Sequence, residues 1–263
     1  MRTCPQLLES IKINRTSTHY HIPIMAHLGN FDVLCFDVYG TLIDWETGIT
    51  TALQPLFAQA DKPLPLRAEL LGAVHELEAQ QQGLTPSMRY RDVLAAIHPR
   101  LATRFHLPRP TAEESAAFGA SIGAWPAFPD SVAALRRLAR RYKLVVLSNT
   151  DREAFEATNA GPLQGVPFDL VVTAEDVGSF KPAGRNFDFM VNRVHEKLGL
   201  GKDRILQTAQ SQFHDHHPAK EAGIRSCWIV RPGAIMGNRQ HEIYDWKFDT
   251  LADMADAVEA EQN

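Results

Sequence analysis

Apolar and polar positions fall along the chain in two rhythms. Val33-Leu34-Cys35-Phe36 is apolar at every position with no helical spacing, as expected of a parallel strand covered on both faces. Leu144-Val145-Val146-Leu147, Leu170-Val171-Val172, Ile205-Leu206 and Cys227-Trp228-Ile229-Val230 predict further strands of this kind. Helical patterns lie between them. Asp130 stands where it can cap a helix carrying Val132, Leu135 and Leu138, and Arg136, Arg137, Arg140 and Arg141 crowd its C-terminal turns, where the helix dipole favours cations. Strand and helix alternate from residue 130 to 230, so the predicted class is α/β with a doubly wound, mainly parallel sheet.

Between Leu42 and about Trp125 the pattern is helical throughout. Leu53, Leu56 and Phe57 form one apolar stripe, Leu70, Leu71, Val74 and Leu77 a second, and Val93, Leu94, Ile97 and Leu101 a third. Pro63, Pro65, Pro86, Pro108 and Pro110 mark the turns between these helices. The expected organisation is an α/β core from residues 30–44 and 126–263, with a helical insert at 45–125. Residues 1–29 show no periodicity and carry Arg2, Lys12 and Arg15 with little acid. A targeting segment and a later start at Met25 compete there with the reading we favour, a flexible N-terminal extension.

Composition narrows the function. At 263 residues and 44% hydrophobic, the chain can bury a sizeable core. A net charge of −4 with both signs dispersed gives no footprint for nucleic acid or an anionic membrane. No run of about eighteen apolar residues is present to span a membrane. Cys4, Cys35 and Cys227 lie far apart and read as reduced structural residues. A cytoplasmic protein acting on a small molecule is expected, with a homodimer as the assembly allowed for.

Candidate chemistry collects after the predicted strands, where open α/β sheets bind ligands. Asp37 closes the first strand. It is either the cap of a following helix or a carboxylate placed for reaction, because burying it unpaired is costly. Ser148-Asn149 follows the second strand and reads equally well as ordinary turn chemistry. Lys181-Pro182 lies between the third strand and a helix beginning near Arg185. Asp215 sits among His214, His216 and His217, a grouping that brings zinc to mind. Adjacent residues project in different directions, however, and no cysteine is near. His214 or His216 remains open as a base, since imidazole titrates near neutral pH.

Asp37-Val38-Tyr39-Gly40-Thr41-Leu42 resembles the first motif of the haloacid dehalogenase superfamily, whose nucleophilic Asp opens an Asp-x-x-Gly-Thr pattern. Ser148-Asn149 and Lys181-Pro182 resemble its second and third motifs. Tyr39, two residues after the Asp, is similar to the L-2-haloacid dehalogenase branch; phosphatase members carry a second Asp there. The resemblance implies a haloacid dehalogenase-like Rossmannoid core, with residues 45–125 as a cap domain over the site. It also implies Asp37 as nucleophile, Lys181 as its charge partner, Thr41 as its support and Asp215 as the residue that steers water. Tyr39, Ser148, Asn149, Gln212 and His214 would contact substrate.

Phosphatases of this superfamily place two acids after the fourth strand to complete a magnesium shell. Counting back from Ala219-Lys220-Glu221-Ala222-Gly223, the first falls on Gln210 and the second on Asp215. Half of the metal set is therefore missing, and neither a metal nor another cofactor is expected. The implied activity is metal-free hydrolysis of a 2-haloacid to a 2-hydroxyacid through an aspartyl ester. A phosphatase acting on a small phosphorylated metabolite, and a non-catalytic accessory protein that kept the pocket, are the alternatives. One departure bears on substrate: the cap arginine that clamps the carboxylate in that branch is absent from Leu71-Gly72-Ala73-Val74-His75, which leaves Arg67, Arg89 or Arg91 to replace it.

Overall fold

The computed structural model describes residues 27–261. Cys4, Met25 and the readings attached to residues 1–26 lie outside the described residues. Of the range 1–29 assigned to the extension, residues 27–29 are described. Leu28–Asn30 forms a 3-10 turn with Leu28 buried, and Glu261 accepts the backbone N–H groups of Leu28 and Gly29.

Six parallel strands form one sheet: β1 Val33–Phe36, β2 Lys143–Ser148, β3 Leu170–Thr173, β4 Ile205–Ala209, β5 Arg225–Ile229 and β6 Trp246–Phe248, in the order β3-β2-β1-β4-β5-β6. The predicted strands are all present, and β6 is an addition. Its three residues are centred on exposed Lys247 at the sheet edge, too short and too polar to show a period.

Ten helices accompany the strands among the described residues. α1 (Trp45–Ala58), α2 (Arg67–Leu84), α3 (Tyr90–Arg104) and α4 (Ala112–Ala120) make up the insert. α5 (Ser131–Leu138), α6 (Arg152–Ala160), α7 (Ala174–Val177), α8 (Arg185–Leu198), α9 (His217–Glu221) and α10 (Leu251–Ala260) belong with the sheet. None is long and apolar enough to cross a membrane.

The continuous apolar run of β1 has its explanation in the two faces of the sheet. Val33 and Cys35 pack with Phe187, Met190 and Val194 of α8, whereas Leu34 and Phe36 join Leu135 and Leu138 of α5 and Met254 of α10. Asp130 departs from its predicted role. It makes no side-chain cap on α5; one oxygen binds Arg231 and the other accepts the Ala252 N–H in the first turn of α10. It thereby ties two helices on one face together.

The insert leaves and rejoins the core at a single crossing. Ile43 and Ala127 form an antiparallel bridge, the Asp44 N–H donates to the Pro126 carbonyl at 2.8 Å, and the Phe128 N–H donates to the Leu42 carbonyl at 3.0 Å. Gly48 of α1 sits against the Trp125 ring, where an added Cβ would lie 2.3 Å from Cγ.

Candidate active site

β1 is flanked by β2 and β4, so the segments that leave these strands converge at one edge of the sheet. Asp37 is the first residue beyond β1, and its N–H continues the ladder to the Thr208 carbonyl. Gly40, at φ 101°, takes the left-handed conformation that reverses the chain, and an added Cβ would lie 3.1 Å from the Trp45 ring. The reversal brings Thr41 back to Asp37. Its hydroxyl donates to Asp37 Oδ2 at 2.7 Å and accepts the Gln210 N–H at 2.9 Å, coupling the β1 loop to the end of β4.

Lys181 occupies the centre and is 1% exposed. Its Nζ donates to Asp37 Oδ1 at 2.9 Å, Asp215 Oδ1 at 2.7 Å and the Leu147 carbonyl at 2.8 Å, which uses all three ammonium protons. Burial opposes its charge, but Asp215 and Asp37 outweigh that and hold the ammonium above its ordinary range. Asn149 sets the position of this lysine: its Oδ1 accepts the Lys181 N–H at 2.6 Å and its Nδ2 donates to the Lys181 carbonyl at 3.0 Å. Asn149, expected to meet substrate, lines the cavity while its amide bonds this backbone. Ser148 Oγ, in contrast, is buried without a partner and belongs to a residue that lines the cavity.

Residues Gln212–His216 form one π-helical turn that begins at Ser211. This turn sorts the expected residues. Asp215 and His214 line the cavity, whereas Gln212 does not; its buried Oε1 accepts the Ile243 N–H. Gln210 lines the cavity in its place. His216 is also turned inward, its ring nitrogens meeting Ser226 Oγ and the Ala209 carbonyl, which removes it as a base acting in the cavity. Burial lowers His214 to about 3 and His216 to about 4, so both are neutral imidazoles at pH 7. Burial raises the Asp215 carboxyl above its usual range against the pull of Lys181, and its Oδ2 is buried with no partner.

The donor set does not fit a divalent cation. The Lys181 ammonium stands between the two carboxylates, Asp215 Oδ1 already accepts Lys181 and the Gln207 amide, and Gln210 takes the place of the other acid. Among the described residues, no three His, Cys, Asp or Glu side chains are grouped to hold a metal.

Over these residues lies a cavity of about 250 Å³. Tyr39 contributes its ring, since its hydroxyl bonds Thr158 Oγ1 at 2.8 Å and the ring meets Trp125 edge-on. The insert supplies His75, Glu78, Ala79 and Gln82 from one face of α2, and Tyr90 from the start of α3. Their spacing of three, four and seven residues is helical, but beside an apolar stripe it reads as a solvated face. Nothing in the sequence says that this face looks onto the core.

Arg67, Arg89 and Arg91 do not line the cavity. They pair instead with Glu46, with Asp92, and with Asp151 and Glu153. The insert presents a carboxyl group to the cavity: Glu78, 8% exposed, accepts a hydrogen bond from the Tyr90 hydroxyl at Oε1 over 2.6 Å.

A family model described as haloacid dehalogenase-like hydrolase matches residues 31–206. (S)-2-haloacid dehalogenase H-109 of Pseudomonas putida is 25% identical over 214 residues, covering 77% of this chain and 87% of that one. Among solved structures, the defluorinating L-2-haloacid dehalogenase Rha0230 is similar with a TM-score of 0.73 and 16% identity, over 89% of this chain and 98% of that one. The L-2-haloacid dehalogenase of Xanthobacter autotrophicus with chloropropionic acid covalently bound aligns with a TM-score of 0.71 and 18% identity, over 87% and 98% of the two chains.

Proposed function

Because the chain belongs to the haloacid dehalogenase-like hydrolases, we propose that it converts small 2-haloacids to 2-hydroxyacids without a metal ion, through an ester on Asp37. The observation that carries this reading is the ammonium of Lys181 lodged between Asp37 and Asp215. It supplies at short range the positive charge that a magnesium ion would otherwise bring, 2.9 Å from the nucleophilic carboxylate.

In the first step an oxygen of Asp37 attacks C2 of the substrate. A carbon–oxygen bond forms as the carbon–halogen bond breaks, and halide leaves with the electron pair. In the second step water adds to the ester carbonyl and gives one proton to the unpartnered Oδ2 of Asp215. The carbon–oxygen bond between the Asp37 carbonyl carbon and the substrate oxygen then breaks, and that oxygen takes the proton back from Asp215 and leaves as the 2-hydroxyacid. The second proton of the water is lost to solvent as the Asp37 carboxylate is restored. Alignment of a fixed carboxylate with a bound carbon is worth roughly 7–11 kcal/mol of barrier. Ser148 Oγ supplies a donor for the substrate carboxylate. The two buried free thiols, Cys35 and Cys227, support a cytoplasmic location.

Halide release from 2-chloropropionate and 2-bromoacetate tests the reading. Release should persist in excess chelator, disappear in Asp37→Asn, and leave an ester on the Asp37 peptide when the reaction is quenched early. Silence with every haloacid, together with magnesium-dependent phosphate release that Asp37→Asn abolishes, would replace it with the phosphatase reading.

A further inference from the structure

The haloacid reading leaves the substrate carboxylate without an evident cation. Lys181 has no proton to spare, and among the described residues no arginine lines the cavity. Arg239 stacks on Phe213 at 4.6 Å and is not part of the lining. The insert nevertheless places one polar group of unusual kind there. Glu78 Oε1 is held by the Tyr90 hydroxyl, and its Oε2 has no hydrogen-bond partner among the described residues.

We propose that Glu78 is the specificity-determining residue of the cap: as an uncharged acid braced by Tyr90, it donates the proton on Oε2 to the carboxylate of the substrate. This rests on the haloacid reading and names how that site accepts an anion without a guanidinium.

The surroundings agree with a protonated Glu78. Tyr90 faces it from α3, His75 flanks it on its own helix, and Asp37, Lys181, Asp215 and His214 line the same cavity from the core. Of these, Lys181 is the only side chain that is positively charged at pH 7, and it is matched by two carboxylates; burial lowers both His75 and His214. Burial raises Glu78 to about 7, with the Tyr90 hydrogen bond opposing. An arriving carboxylate adds like charge and strengthens the hold on the proton. Substrate binding is then coupled to proton uptake, in the way that an acid kept neutral by its site can serve as a donor.

The test uses the whole protein and L-lactate, an inert 2-hydroxyacid, as probe. In the wild type the dissociation constant should rise about tenfold per pH unit above roughly pH 7, because only the protonated fraction binds. Calorimetry in two buffers of different ionisation enthalpy should show proton uptake. Glu78→Gln, whose amide donates at any pH, should bind a few-fold more weakly at acid pH but lose the pH dependence and surpass the wild type in alkali. Tyr90→Phe removes a bond that favours the ionised form, so it should move the limb to higher pH.

Failure to bind lactate near neutral pH, a flat wild-type profile, or a Glu78→Gln variant of unchanged melting temperature that keeps the limb would each overturn the proposal. Halide release scored separately keeps the two readings apart. Lactate binding with proton uptake but no dehalogenation sinks the activity and spares Glu78, whereas dehalogenation with a flat profile does the reverse.

Discussion

Lys181 has no slack. Removing its ammonium leaves Asp37 and Asp215 facing each other in a buried site, where two like charges cannot both persist and one carboxylate takes a proton. Lys181→Ala should therefore lower kcat about a thousandfold or more, ~4 kcal/mol of barrier. Halide release in single-turnover experiments measures this, and a loss below tenfold would contradict the role. Asp37, Lys181 and Asp215 were legible because each lies just beyond a strand or in the loop that follows one, so the topology of a parallel sheet brings them together whatever their distance along the chain. Gln212, expected at the substrate, and His216, left open as a base, lie away from the cavity for a local reason. A π turn carries an extra residue, and it points Phe213, His214 and Asp215 into the cavity while turning Gln212 and His216 into the interior. Sequence spacing carries no mark of that extra residue.

At the scale of elements, the insert depends on close backbone approach. Gly119 of α4 faces the Arg91 carbonyl of α3, and an added Cβ would lie 2.3 Å from that oxygen. Gly119→Ala should destabilise the protein by about 1–3 kcal/mol, seen as a lower thermal midpoint. An unchanged midpoint would show that the two helices separate freely. Apolar stripes gave α1, α2 and α3 of the insert and their buried faces but not α4, since Leu53, Leu70, Leu71, Val74, Val93, Leu94, Ile97 and Leu101 are all in the core. The same reasoning could not find the cavity wall. His75, Glu78 and Gln82 form a polar stripe whose partner is another segment folded over it, and periodicity reports that a face differs without saying what it meets.

For the molecule as a whole, the buried titrating groups pull stability in opposite directions with pH. Glu78 ionises near 4.5 when unfolded and near 7 when folded, so the fold binds more protons between those values and loses stability as pH rises through 7, by about 3 kcal/mol. His214 and His216, lowered from 6.5, act the other way: the unfolded chain binds their protons first, and stability falls as pH drops below 6.5. Glu78→Gln should accordingly raise the melting temperature at about pH 8.5 and leave it nearly unchanged at about pH 5. An equal shift at both would mean that the carboxyl is not buried in solution. The crossing at Ile43 and Ala127 gives the chain a further property. The ends of the insert are neighbours, so the segment from Asp44 to Pro126 can change in length or sequence without rerouting the sheet. The nucleophile lies on one side of that bridge and Glu78 on the other. A new substrate preference can therefore be acquired by exchanging one side while the reaction on the other is inherited intact.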